Sequence, residues 1–109
     1  MESSEQVNEA FHSIAEILAD QGVVLGKTFG AQALMLNKKA IACLHGEKMA
    51  FKLGRESDRH AEALSLPGAT LFDPSGMGRA FKDWVEIPLV EGADWIDFAQ
   101  AAVRAQSTQ

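Results

Sequence analysis

Residues 32–53, QALMLNKKAIACLHGEKMAFKL, hold the pattern that decides the fold. Within Lys48–Leu53 the apolar Met49, Phe51 and Leu53 alternate with Lys48, Ala50 and Lys52, the two-residue period of a strand with one buried face. Segments Gln32–Leu36 and Ala40–Leu44 precede it at hairpin spacing, separated by Asn37-Lys38-Lys39 and His45-Gly46-Glu47, so the three read as an antiparallel meander. A two-residue turn at Gly46-Glu47 sets Leu44 opposite Met49 and Ala42 opposite Phe51, because directly opposed residues share a face. On that register Ile41, Cys43 and His45 share the outer face with Lys48, Ala50 and Lys52; a longer turn reverses the assignment. A strand at Val23–Leu25 is a further candidate.

Helical periodicity flanks the meander. Val7, Phe11, Ile14 and Leu18 form one stripe of a first helix, with Ser3 or Ser4 as N-cap and Gly22 as its stop. After Gly54 the run Ser57–Leu66 reads as a short second helix capped by Ser57 and ended by Pro67-Gly68. Thr70–Asp73 and Trp84–Ile87 read as two strands joined through Pro74-Ser75-Gly76-Met77-Gly78-Arg79, and Pro88 ends the second. Ala93–Ala105 carries Ile96, Ala99 and Val103 on one stripe of a last helix, beside Trp95 and Phe98. Residues 1–4 and the polar tail Gln106–Gln109 are expected to fray. The order α, β-meander, α, β-hairpin, α predicts an α+β fold of two layers, an antiparallel sheet with helices on one face, in a single domain over 1–109.

Composition narrows the function classes. Ten Lys and Arg against fifteen Asp and Glu give a net charge of −5, which opposes approach to nucleic acid or an anionic membrane. No stretch approaches the apolar run a membrane span needs, and the first eight residues are polar and acidic, unlike a secretory signal. One cysteine, Cys43, excludes an internal disulfide framework and fits a reducing compartment, so the expectation is a cytoplasmic protein.

Several residues could carry chemistry. The loop from Asp73 to Arg79, with Ser75, Gly76 and Gly78 and the cations Arg79 and Lys82, could cradle an anion through backbone N–H groups, or be a hairpin loop that needs flexible glycines. Cys43 and His45 lie two apart on one strand and project to one face. A metal there needs more ligands from His12, His60 or carboxylates at a spacing that matches no pattern, and buried cysteine is commonly a small apolar residue. No cofactor, metal or catalytic constellation is expected. Cations such as Lys27, Lys38, Lys39 and Arg55 gather in the sheet half, while Glu5, Glu9, Glu16 and Asp20 crowd the first helix. Trp84 and Trp95 are either interface anchors or core.

Phe29-Gly30 with Ala33-Leu34-Met35, then Ala42-Cys43-Leu44-His45-Gly46, Phe51-Lys52-Leu53-Gly54, and Leu71-Phe72-Asp73-Pro74-Ser75-Gly76 leading to Lys82-x-Trp84-Val85 resemble TfoX amino-terminal-domain-like proteins, over Gly26–Ala102. The resemblance implies a fold like that of secretion chaperones and a stand-alone small member of the family. It supplies no catalytic residues, and TfoX proper carries a second domain that this sequence lacks. The expected function is a non-enzymatic protein-interaction or regulatory module that binds a protein partner, or itself as a homodimer, through the outer sheet face with Ile41, Cys43, His45, Ala50 and Lys52. The alternative is a small-anion or metabolite-binding protein, or a simple enzyme, built on residues 73–82.

Overall fold

The computed structural model describes residues 5–28, 30–73, 78, 80–88 and 95–107. Helix α1 (Glu5–Leu18) runs into a 3₁₀ turn over Ala19–Gln21, closed by Gly22 at φ 90°. The meander follows as β1 (Val24–Thr28), β2 (Ala31–Leu36), β3 (Lys39–His45) and β4 (Lys48–Lys52). Then come α2 (Asp58–Leu64), β5 (Thr70–Phe72), β6 (Phe81–Pro88) and α3 (Trp95–Ser107). The six strands form one antiparallel sheet in the order β1-β2-β3-β4-β6-β5, so the last hairpin docks on the meander through its second strand.

The β3–β4 hairpin has the expected register, with Leu44 opposite Met49 and Ala42 opposite Phe51 around Gly46-Glu47. The preceding turn is tighter than its sequence suggests. Leu36 pairs with Lys39 directly, and Asn37 and Lys38 both take positive φ, 53° and 68°, as a two-residue turn matched to strand twist requires.

The apolar stripes of α1 and α3 and Ala63 of α2 pack on one face of the sheet, against Leu34, Ala42, Leu44, Met49, Phe51, Leu53, Val85 and Ile87. This is the α+β arrangement that the periodicities predict. Ser57 caps α2: its Oγ accepts from His60 N at 3.1 Å and donates to the Leu53 carbonyl at 2.8 Å. Several boundaries differ from the sequence reading, among them the start of β6, at Phe81 where the sequence marks Trp84. β1 extends to Thr28, and Gln106, expected in a frayed tail, is helical and 8% exposed.

A β-bulge relocates Ile41. Leu34 faces Ala42 and Met35 faces Ala40, so β3 carries one residue more than β2 at this point. Such an insertion sends two consecutive side chains to the same side. Ile41 and Ala42 accordingly both enter the helix-side core, whereas Ala40 and Cys43 lie on the other face. The expectation that Ile41 belongs to the outer face is therefore wrong.

Candidate functional site

The outer sheet face is filled by the chain's own side chains. Ala33, Cys43 and Ala50, small residues on three adjacent strands, make a shallow floor on which Phe72 and Trp84 pack. The Phe72 ring stands 5.8 Å from Trp84, 6.1 Å from Phe81 and 5.4 Å from His45, centroid to centroid. Cys43 and Ala50 do lie on this face but have no exposed surface, which removes the open apolar face on which an interface was expected. Trp84 joins this second cluster and Trp95 the helix-side core, so both tryptophans are buried.

At the rim, Glu86 is 7% exposed and holds two partners from the β3–β4 hairpin. His45 Nδ1 donates to Glu86 Oε2 at 2.5 Å, and Lys48 Nζ lies 3.5 Å from Oε1. Burial, and then the negative charge of Glu86, push the Cys43 thiol up to about 12. Cys43 is thus a protonated core residue, and His45 is oriented by a carboxylate instead of activating a thiol. Among the described residues no three His, Cys, Asp or Glu side chains gather as a metal site.

The expected anion loop falls mainly on Ser75, Gly76 and Arg79, which lie outside the described residues. Gly78 is exposed at φ 78°, and its N–H donates to Asp73 Oδ2 at 2.8 Å, so that donor serves the loop itself. Lys82 is exposed, and its backbone carbonyl accepts from His60 Nε2 at 2.7 Å. His60 is thereby a satisfied buried histidine.

Lys52 and Lys82, placed by sequence in two different candidate sites, come together. Opposite Lys52 stands Trp84, and both lysines line a hollow of about 340 Å³ with Arg55, Asp83, Phe81 and Trp84. Asp83 organises this corner. Its backbone carbonyl accepts from Leu53 N at 2.9 Å and Gly54 N at 3.1 Å. Its Oδ1 accepts from Arg55 N at 2.8 Å and Arg55 Nε at 2.9 Å, and Oδ2 from Nη2 at 3.4 Å. These hydrogen bonds hold the Asp83 carboxyl below the usual range and raise Arg55. On the other side of the pair a larger cleft, about 420 Å³, opens between the β4–α2 turn and the end of α3. Lys52, Arg55, Glu56, Ser57 and Asp83 line it together with Ile41, Gly54, Ala102, Ala105 and Gln106. Gln106 Oε1 is buried without a hydrogen-bond partner among the described residues. Sequence reasoning passed over the cleft because its parts are up to 65 positions apart, from Ile41 to Gln106.

The β1 edge of the sheet is the third feature. Among the described residues β1 pairs only with β2, and its successive residues Val24 and Leu25 are 61% and 55% exposed. They point to opposite faces, as neighbours on a strand must. Leu25 borders a hollow with His12, Ala15, Glu16, Ala19 and Val23, while Val24 lies opposite Met35. Gly26 keeps this edge flat: a Cβ there would stand 2.5 Å from Met35 Cγ, whose side chain lies across the strand.

No helix among the described residues is long and apolar enough to cross a membrane. No protein-family model, curated protein or solved structure matches the chain.

Proposed function

We propose that the chain is a non-enzymatic interaction module of the cytoplasm that associates by extending its sheet at β1, with a second copy of itself as the partner. One observation carries the reading: an edge strand with large apolar side chains exposed on both faces, Val24 at 61% and Leu25 at 55%. An uncovered strand edge is a template for pairing, and apolar residues above and below it add burial to the backbone hydrogen bonds. An antiparallel two-fold pairing centred on Gly26 sets Leu25 opposite Lys27 and Val24 opposite Thr28. Both apolar side chains are then covered without two lysines meeting.

The same reading takes the chain as a stand-alone relative of TfoX amino-terminal domains. The turn glycines of the motifs that carry this resemblance, Gly30, Gly46 and Gly54, all take positive φ, so glycine has a conformational reason to stand at each.

Light scattering after size-exclusion chromatography tests the proposal. The native chain elutes with the mass of two copies, and Val24→Lys with Leu25→Lys converts it to one folded copy whose melting temperature no longer depends on protein concentration, because the stabilisation that association supplies is lost. A native mass of one chain at every concentration sinks the reading.

A further inference from the structure

We infer that each copy in this pairing completes a site on the other: the hollow between α1 and β1 receives the partner's Lys27, whose ammonium meets Glu16. The inference rests on the β1 pairing proposed above and names the contact that selects its partner and register.

Faces decide which side chains can meet. Leu25 and Lys27 stand opposite Leu34 and Gln32 of β2, and directly opposed residues share a face. Leu34 belongs to the helix-side core, and Gln32 Nε2 donates to Asn8 Oδ1 of α1 at 3.0 Å, so Leu25 and Lys27 both lie on the side of the sheet that carries α1. A two-fold pairing centred on Gly26 keeps both first helices on that side and sets the partner's Lys27 beside Leu25. Opposed Cβ atoms are then about 5 Å apart, well within the reach of a lysine side chain.

The hollow that Leu25 borders suits such a side chain. It holds about 300 Å³. Ala15, Ala19 and Leu25 offer apolar contact to a four-carbon stem and Glu16 an acceptor for its head, the division of surfaces along which lysine packs. The chain's own Lys27 is poorly placed to fill it. Lys27 stands opposite Gln32 at the Asn8 end of α1, and Glu16 lies about 12 Å further along that helix. Neither residue makes an ion pair among the described residues.

Charge supplies the second argument. Glu5, Glu9, Glu16 and Asp20 are exposed along α1 and the turn after it, and the chain has no Lys or Arg before Lys27. Pairing at β1 brings two such acidic helices to one side of a shared sheet, where they repel unless a cation stands between them. Lys27 is the one cation on β1, and the two-fold axis supplies it twice.

Charge reversal read by sedimentation equilibrium tests this. The native chain dimerises, and Glu16→Lys alone and Lys27→Glu alone each dimerise roughly tenfold more weakly, because each sets like charges together at both two-fold contacts. An equimolar mixture of the two variants recovers the native affinity, since every contact in the mixed dimer again joins opposite charges. Both positions are exposed, and thermal melts of dilute protein verify that each variant folds. A native dimer that neither substitution weakens, or a mixture that associates no better than its components, overturns the contact between Lys27 and Glu16 and leaves β1 pairing standing. A native chain with the mass of one copy overturns both.

Discussion

His45 on β3 and Glu86 on β6 meet over β4, 41 residues apart in sequence and 2.5 Å apart at Nδ1 and Oε2. The contact ties the meander to the last hairpin on the face away from the helices. Glu86 is a buried carboxylate whose two partners, His45 and Lys48, sit at the partly exposed rim. Removing it leaves neither partner stranded in the interior. Glu86→Ala is expected to cost about 2 kcal/mol, the scale of a hydrogen bond to a charged group, by urea denaturation. Glu86→Leu, which fills the space beside Ala50 and Cys43 with apolar atoms, should cost less, since buried ion pairs are often replaceable by packed apolar residues. A larger loss for Leu than for Ala would mean that the site beside Ala50 and Cys43 cannot accept the added apolar volume.

Cys43 gives a chemical readout of the same face. With its thiol raised to about 12 and no exposed surface, it has almost no thiolate at neutral pH. Alkylation by iodoacetamide should run at least about a hundredfold more slowly in the native chain than in urea, where an ordinary thiol is restored. Equal rates in the two states would place the cysteine at the surface.

Ile41 separates the observed fold from the simplest reading of its sequence. Strict alternation along β3 puts it outside, where a charged replacement is harmless. The bulge puts it in the helix-side core with no exposed surface. Ile41→Ala should lower stability by about 3 kcal/mol and Ile41→Glu should prevent folding, as circular dichroism melts will show. A folded, unperturbed Ile41→Glu variant would restore alternation and remove the bulge.

That contrast marks where sequence is informative. The β3–β4 hairpin was legible because Met49, Phe51 and Leu53 alternate over a half-buried strand and Gly46 marks the turn. The helices were legible from stripes such as Val7, Phe11, Ile14 and Leu18. The bulge was not, since an extra residue is defined only against a partner strand: Ala40-Ile41-Ala42 looks regular until Leu34 and Met35 are set beside it. β1 was half seen because Gly26 and Lys27 interrupt the apolar pair Val24-Leu25. Gln106 read as tail because its composition is polar, although its position on the last turn of α3 places it against the sheet's end. Lys52 and Lys82 were both singled out as binding residues, but only the docking of β6 beside β4 reveals that they serve one corner.

The two cores also give the protein two separate optical reporters. Trp84 belongs to the cluster on the outer face and Trp95 to the one beneath the helices, with the sheet between them. A chain carrying Trp84 alone reports on the small aromatic layer, and one carrying Trp95 alone reports on helix packing. Emission changes that coincide on unfolding mean the sheet transmits loss of either layer to the other, and changes that separate mean the outer layer can loosen while the helices stay docked.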